Sequence, residues 1–295
     1  MFAFVCLSYQ LAYEYIPDNE NKENKKWFNS SYGGFSVSMK EESDKEGISK
    51  LTHTLNLDRV VFIGRTFSEY MRMFNLEPSQ LLGLKILDCP SGASSFVAEA
   101  YSEYNIKKVI GCDVLYDDGQ KDALAAIITL EKRGKNDLDH MIDRLSGVSN
   151  LYNWNLYANI DELRRSRATS LKKFISDYAK GIKEKRYVKA QLPDLPFHDK
   201  SFDLVLSANL LFYYHDKFDY SFHLDSIIEM LRISSNEVRI FPVQLPDAKF
   251  PDYLNVLIET VKKRWQNKIS ARIETVQHEF RRGVNKMLVL NHINF

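Results

Sequence analysis

Two aspartates each close a short apolar run in the first half of the chain. Asp88 ends residues 82–88 and Asp113 ends residues 108–113, with a turn of small residues, 89–95, between them. Small residues let a ligand approach the backbone, and an acid at a strand end accepts hydrogen bonds from the vicinal hydroxyls of a ribose. Asp113 follows the turn by roughly twenty residues, the spacing expected of a ribose-binding acid. The pattern predicts a site for an adenosyl ligand.

The composition of the turn separates two classes of such ligand. A dinucleotide site places pyrophosphate against a helix start of the form GxGxxG. Residues 89–95 contain a single glycine, Gly92, and so lack this motif. A ligand without phosphate tolerates Pro90 and Ser94 at this turn. The sequence therefore favours an adenosyl ligand that lacks a pyrophosphate.

The elements that must position these acids form a strand, turn, helix and strand in series. An earlier helix is expected to begin at Thr66, which forms a capping box with Glu69, and to run to about Leu76. Parallel strands joined by a helix form right-handed units whose sheets are covered on both faces. In the helix after the turn, three apolar residues are expected to face the sheet: Phe96, Val97 and Ala100.

The rest of the chain continues this pattern. Further strands are predicted to begin at Tyr187 and to span residues 201–207, 237–242, 271–278 and 286–290, and helices are predicted at 223–233 and 251–265. We therefore predict an α/β fold with a doubly wound, mostly parallel, seven-stranded sheet (Rossmann-like). It should carry an antiparallel terminal hairpin and a helical insertion.

Residues 51–295 are expected to form one domain, preceded by a flexible or loosely docked leader at residues 1–50. The insertion should span about residues 116–185, because a plain crossover needs only about a dozen residues. We expect it to lie over the ligand edge of the sheet.

Two side-chain clusters in the insertion each have two interpretations. An aromatic cluster either lines the ligand edge or packs within the insertion itself: Tyr152, Trp154 and Tyr157. A basic run is either a solvated helix face, which is favoured, or a docking surface: Arg164, Arg165 and Arg167.

Composition narrows the function classes. The chain has 40 Lys and Arg against 39 Asp and Glu, a formal charge of +1, so no global field attracts nucleic acid. Cys6, Cys89 and Cys112 form no zinc-like spacing, and neither a metal site nor a disulfide framework is expected. The apolar residues 1–13 are too short to span a bilayer. We expect a cytoplasmic protein without a membrane segment.

Three segments, in order, resemble one enzyme class. Residues 85–94 resemble the first signature of class I S-adenosylmethionine (SAM)-dependent methyltransferases, and residues 109–113 the second. Residues 195–205, LPFHDKSFDLV, are similar to a segment of the ubiquinone-biosynthesis-like methyltransferases. The resemblance implies that SAM is the cofactor and that its methyl group moves by in-line displacement. The residues it places around SAM are Asp88, Cys89, Pro90, Gly92, Ser94, Asp113, Val114, Leu115, Gln191, Leu192, Ser207 and Asn209.

The resemblance also implies individual roles. Asp113 would hold the ribose, with Val114 and Leu115 against the adenine. Gln191 stands where the family usually has an acid, and its amide oxygen can still accept a hydrogen bond from the adenine amino group. The methionine part of SAM would lie among Asp88, Gly92, Ser94, Ser207 and Asn209, with a backbone N–H from Leu192 beside the adenine.

Acceptor groups are expected beyond the carboxyl ends of the strands. Four residues there could orient or deprotonate an acceptor: Tyr213, Tyr214, His215 and Glu279. On the early helix, three residues could contact the SAM carboxylate: Arg65, Tyr70 and Arg72. The alternative for the two arginines, which is favoured, is that they are ordinary surface charges.

The acceptor predicted from the sequence is a small molecule. Residues 207–210, SANL, lack the motif of the enzymes that methylate amino groups of nucleic acids. Two alternatives stay open: methylation of RNA or protein through the insertion, and a non-catalytic partner subunit that binds SAM or no ligand.

Overall fold

The computed structural model describes residues 54–55, 57–117 and 122–293. These residues belong to one compact unit that spans residues 54–295. The leader predicted at residues 1–50 lies outside the described residues.

The unit is built around one seven-stranded sheet. Its strand order is β3-β2-β1-β4-β5-β7-β6. Strands β1 to β5 pair in parallel, whereas β7 runs antiparallel to both β5 and β6. The predicted fold, including its antiparallel terminal hairpin, is confirmed. The strands are β1 (Ile86–Asp88), β2 (Val109–Asp113), β3 (Tyr187–Lys189), β4 (Phe202–Ala208), β5 (Ser234–Phe241), β6 (Ile269–Thr275) and β7 (Lys286–His292).

The central strand β1 explains the apolar run before Asp88. Asp88 lies opposite Gly111 of β2 on one side and Leu206 of β4 on the other. All three residues of β1 are buried, because strands of a parallel sheet are covered on both faces. The acids that end β1 and β2 are therefore neighbours on one edge of the sheet.

Six α-helices cover the sheet in the described residues. The first begins with the predicted capping box of Thr66 and Glu69 and ends at Phe74, because Asn75 takes a left-handed conformation with φ 54°. In the second, Phe96, Val97 and Ala100 are fully buried, as predicted. The helices are α1 (Phe67–Phe74), α2 (Phe96–Ser102), α3 (Ala123–Ser146), α4 (Ile160–Lys183), α5 (Tyr220–Ile233) and α6 (Leu254–Arg264).

The insertion consists of α3 and α4, two helices of 24 residues each that pack against each other. A Cβ added to Gly134 of α3 would lie 2.6 Å from Leu171 of α4, so a glycine permits their close approach. Helix α4 also supplies Phe174 and Tyr178 to the main hydrophobic core. The insertion therefore helps to build the core of the unit and is not an appendage to it.

Two further findings concern only the described part of the chain. No helix there is long and apolar enough to cross a membrane. Within the same residues, no group of three or more His, Cys, Asp or Glu side chains could hold a metal ion.

Candidate functional site

Asp88, at the end of β1, is fully buried and held by a tyrosine. The Tyr70 hydroxyl donates to both carboxylate oxygens, at 3.0 and 2.9 Å. The Tyr70 ring stacks on Phe96 with 4.4 Å between centroids, which fixes the hydroxyl in place. Burial raises the pKa of Asp88 to about 7, although the hydrogen bond from Tyr70 acts in the opposite direction. Asp88 is therefore a partly protonated group near neutral pH.

Asp113, at the end of β2, bonds directly to the turn after β1. The Gly92 N–H donates to its Oδ2 at 3.0 Å, and the Leu115 N–H donates to its Oδ1 at 2.9 Å. Gly92 has φ 56°, a conformation that favours glycine. Burial raises the pKa of Asp113 to about 6, while the two backbone hydrogen bonds lower it. The carboxylate is thus fixed in orientation, with each oxygen already accepting one bond.

Tyr116 adds a second connection across the same gap. Its hydroxyl donates to the Gly92 carbonyl at 2.6 Å. Its ring is 1% exposed and lies 5.6 Å from the ring of Phe174 on α4. Both backbone polar groups of Gly92 therefore have partners inside the protein, and both partners come from the segment at the end of β2.

The segment before α1 lies against the turn. The Arg65 carbonyl accepts hydrogen bonds from the Ser95 N–H at 3.1 Å and from the hydroxyls of Ser94 and Ser170 at 2.9 and 3.0 Å. A Cβ on Gly64 would lie 2.1 Å from the Ala93 carbonyl oxygen. Ser94 therefore fixes the turn to this segment, a contact that the sequence did not predict.

The other predicted cofactor residues differ in how open they are. Four of them are half-buried: Pro90, Val114, Leu115 and Gln191. Cys89 and Leu192 are buried. Gln191 forms a β-bridge with Asp194 beyond the end of β3. The structure thus gathers these residues on the carboxyl edge of β1, β2 and β3.

The end of β4 carries an unsatisfied hydroxyl. Ser207 is 1% exposed and its Oγ has no hydrogen-bond partner. Asn209 has φ 55°, donates its N–H to the Phe241 carbonyl at 2.7 Å and places its amide 3.6 Å from the Met73 sulfur. A buried polar atom without a hydrogen-bond partner is uncommon in folded proteins.

The four predicted acceptor-side residues differ in their surroundings. Tyr214 is buried and its hydroxyl accepts the Val61 N–H at 3.3 Å, while His215 is exposed. Glu279 accepts the Gly283 N–H at 3.0 Å and the Asn285 side-chain amide at 2.6 Å, which shapes the turn between β6 and β7. These three have structural or surface positions.

Tyr213 is the fourth of these residues. It is half-buried, its hydroxyl lies beside that of Tyr152, and burial raises its pKa. The positive charges of Arg65 and Arg281 act on it. Tyr213 therefore lies near two positive charges, and its role toward an acceptor stays a prediction.

The tip of the insertion, residues 147–159, joins the turn between β6 and β7. The Asn153 N–H donates to the Phe280 carbonyl at 2.7 Å, and the Arg282 N–H donates to the Leu151 carbonyl at 3.1 Å. The Phe280 ring lies within 4.8 to 5.5 Å of three aromatic rings: Tyr152, Trp154 and Tyr157. The aromatic cluster therefore packs on the terminal hairpin.

The basic run divides between surface and core. Arg164 pairs with the exposed Asp139, and Arg165 is exposed. Arg167 is 4% exposed and lies 2.6 Å from the carboxylate of Glu69, which also accepts the Tyr157 hydroxyl at 2.5 Å. Burial would raise the pKa of Glu69, but the Arg167 guanidinium outweighs it and holds that pKa well below its usual range. The solvated-face interpretation is thus wrong for Arg167, because a basic run in sequence does not reveal a buried counter-ion.

Three other nitrogen-bearing groups near Glu69 lack partners. The Arg65 guanidinium makes no hydrogen bond or ion pair within the described residues, and the buried Nε of Arg72 has no partner. His278 is 5% exposed, its Nδ1 is unpartnered, and its ring lies 5.7 Å from that of Phe241. Burial lowers the pKa of His278 to about 3, so it is neutral. No sequence signal singled out His278, which follows a strand without any motif.

Comparisons with solved structures give low similarity. A SAM dependent methyltransferase from Aquifex aeolicus is 14% identical, with 86% of this chain and 100% of that chain covered and a TM-score of 0.36. The methyltransferase domain of bacterial CtHen1-C is 13% identical, with 73% and 93% covered and a TM-score of 0.38. A possible histamine N-methyltransferase from Thermotoga maritima is 11% identical, with 77% and 95% covered and a TM-score of 0.33. These scores are low, and the fold assignment depends on the strand order alone.

A comparison with curated proteins is more informative. No family model matches the chain. The uncharacterized protein MJ0045 of Methanocaldococcus jannaschii is 37% identical over 238 residues, which cover 80% of this chain and 98% of that protein. Identity at this level, over nearly the whole relative, shows common descent. The chain belongs to the same protein family as this Methanocaldococcus jannaschii protein.

Proposed function

We propose that this protein binds SAM at the carboxyl edge of β1, β2 and β4 and transfers its methyl group to a small-molecule acceptor. The observation that carries the proposal is the pair of buried acids, Asp88 and Asp113, on adjacent strand ends with the Gly92 turn between them. In an open α/β sheet, ligands bind outside the carboxyl ends of the strands. The signatures that resemble class I methyltransferases fall on these same strand ends.

The nucleoside half of SAM fits beside Asp113. A carboxylate has about four lone-pair positions, and the backbone N–H groups of Gly92 and Leu115 use two of them. The positions left over can accept ribose hydroxyls, and the two backbone bonds hold the carboxylate in one orientation. Val114 and Gln191, both half-buried nearby, are the groups proposed to meet the adenine.

The methionine half fits the groups that lack partners. Arg65 is half-buried and forms no salt bridge within the described residues, so the SAM carboxylate would pair with its guanidinium. The Arg65 carbonyl accepts the Ser95 N–H of the turn after β1, and its charge acts on Asp88 and Tyr213. The unsatisfied Ser207 hydroxyl is a hydrogen-bonding group for the same half of the ligand.

Methyl transfer from SAM does not require the protein to supply a general acid or a general base. SAM supplies an activated methyl group, so the protein chiefly aligns the acceptor and excludes water. Burial raises the pKa of Tyr213 above its usual value, and this residue therefore stays protonated near neutral pH. Tyr213 is proposed to donate a hydrogen bond that orients the acceptor.

The proposal is tested by calorimetry with SAM and with its demethylated product. We expect both to bind, and Asp113→Ala to weaken SAM binding by at least ~100-fold, because it removes charge-assisted hydrogen bonds to both ribose hydroxyls. Asp225→Ala, an exposed acid on α5, is the matched control and should bind normally. Heat from neither ligand would refute the proposal, and unchanged affinity in Asp113→Ala would show that the ribose lies elsewhere.

One observation supports a second candidate, a non-catalytic subunit. The Gly92 N–H and carbonyl already have partners in Asp113 and Tyr116, and Ser94 bonds to the Arg65 carbonyl. A turn that is satisfied internally needs no ligand for its stability. Tyr116→Phe frees the Gly92 carbonyl; if the variant binds SAM and the unaltered protein does not, the non-catalytic candidate is supported.

A further inference from the structure

The interior beside α1 contains more positive than negative charge. Four charged side chains act on the His278 imidazole: Glu69, Arg65, Arg167 and Arg72. Of these, Glu69 alone is negative, and it is paired with Arg167 at 2.6 Å. Arg65 and Arg72 are half-buried, and within the described residues neither forms a salt bridge, although the charge of Glu69 acts on Arg65. An anion from outside the chain would balance them.

The groups around Arg72 also lack hydrogen-bond partners. Its buried Nε is a donor without an acceptor, and the Nδ1 of His278 is buried and unpartnered as well. His278 is neutral, so one ring nitrogen donates and the other accepts. Buried polar groups are almost always hydrogen-bonded, and each exception needs an explanation. The two exceptions lie on α1 and on the segment after β6, which Tyr157 joins: its hydroxyl donates to Glu69 and its ring lies 5.2 Å from that of Phe280. They point to a ligand that supplies an oxygen acceptor to Arg72 and a hydrogen-bond partner to His278.

SAM alone cannot supply both missing anions. It carries a single carboxylate together with two positive groups, its ammonium and its sulfonium. The charge of Arg65 acts on Asp88, at the end of β1, so Arg65 is the arginine assigned to that carboxylate. Arg72 acts on His278, which lies against Phe241 at the end of β5. A second anion is therefore needed on the β5 side, where the acceptor would enter.

We propose that the methyl acceptor carries an oxyanion, a carboxylate or a phosphate, and that Arg72 and His278 bind it. The inference rests on the proposed SAM-dependent function and deepens it by naming the acceptor class. The Arg72 guanidinium presents parallel N–H donors to the oxyanion, and His278 adds one neutral donor. The ion pair of Glu69 and Arg167 lies near His278, and both of its charges act on the imidazole.

The first test separates acceptors by charge. Purified protein and methyl-labelled SAM are mixed with small molecules of a cell extract that have been divided on an anion exchanger into retained and flow-through fractions. We expect labelled product from the retained fraction. Phosphatase treatment of that fraction then distinguishes the two oxyanions, because it abolishes labelling of a phosphate ester and spares a carboxylate.

The second test uses the purified acceptor from the retained fraction. Arg72→Gln should raise its KM by ~10- to 100-fold, because a hydrogen bond to a charged group is lost, with little change in kcat or in SAM affinity. Arg72→Lys should restore part of the loss, since it keeps the charge but not the planar fork. Arg264→Gln, an exposed arginine at the end of α6, is the control and should behave normally.

The outcomes separate this inference from the proposed function. No SAM binding would end both. SAM binding with labelling from the flow-through alone, or an unchanged KM in a folded Arg72→Gln variant, would overturn the anionic acceptor and leave methyl transfer standing. SAM binding without labelling from either fraction would count against both.

Discussion

The polar groups at the ends of β1 and β2 differ from those beside α1 in whether they have hydrogen-bond partners. At the strand ends, Asp88 accepts hydrogen bonds from the Tyr70 hydroxyl, and Asp113 accepts them from two backbone N–H groups. The two acids are thus satisfied within the protein, whereas nitrogen atoms of Arg72 and His278 are buried without a hydrogen-bond partner. A ligand would therefore gain orientation from the acids and charge balance from the cations.

The largest expected effect concerns the buried ion pair of Glu69 and Arg167 beside α1. Arg167→Met leaves Glu69 buried without its counter-ion, and we expect a loss of ~3–5 kcal/mol in the free energy of unfolding. Urea denaturation measures it. Arg165→Met, two positions earlier on the exposed face of α4, is the matched control and should change stability little. An equal, small effect in both variants would show that the pair does not stabilise the fold.

A second effect concerns the acid edge and its dependence on pH. The folded pKa of Asp88 is about 7 against an ordinary value of 3.8, so the folded protein holds this proton more tightly than the unfolded chain does. The resulting stability is fully present below about pH 4 and is lost as the pH rises through about 7.

Asp88→Asn should remove this dependence. The free energy of unfolding of the unaltered protein should fall by up to ~1.4 kcal/mol per pH unit within that window, and that of the variant by less. Asp113, with a pKa of about 6, contributes in the same direction, so some slope should persist. Urea midpoints at a series of pH values measure the difference. Parallel curves would contradict the assignment of the raised pKa to Asp88.

The smallest expected effect is the sharpest test of the comparison between the two regions. Arg72→Met removes a guanidinium whose Nε has no partner, so without ligand the stability should change by less than ~1 kcal/mol or increase. Arg167→Met, by contrast, should lower the free energy of unfolding strongly. Thermal unfolding of the two variants side by side measures this. A large loss in Arg72→Met would mean that this arginine is satisfied within the protein.

The fold and the acid edge could be predicted from the sequence because their signals are local. An apolar run closed by an acid predicts a buried strand, and both Asp88 and Asp113 end strands as expected. The contacts of Tyr116 with Gly92 and of Gly64 with Ala93 could not be predicted, since they join residues distant in sequence without any motif. The same holds for His278, whose surroundings come from α1, α4 and β5.

The contribution of the insertion was predicted only in part. The segment is longer than a crossover between two strands needs, which predicted an insertion, and the structure has two long helices there. The apolar positions of α4, including Phe174 and Tyr178, are spaced for one buried face, but the spacing does not say which surface they meet. Arg167 shows the limit most clearly, because only the folded chain brings Glu69 to it.

The pairing of the insertion tip with the turn between β6 and β7 has a consequence for how this family could diversify. Under the proposed function, the donor would be bound by loops of β1 and β2, while the tip and the turn border the acceptor side. Changes of sequence or length in residues 147–159 would then reshape what is methylated and leave the donor side intact. Acceptor selectivity would thus change through the exposed positions of this segment, because its buried Tyr157 also donates to Glu69.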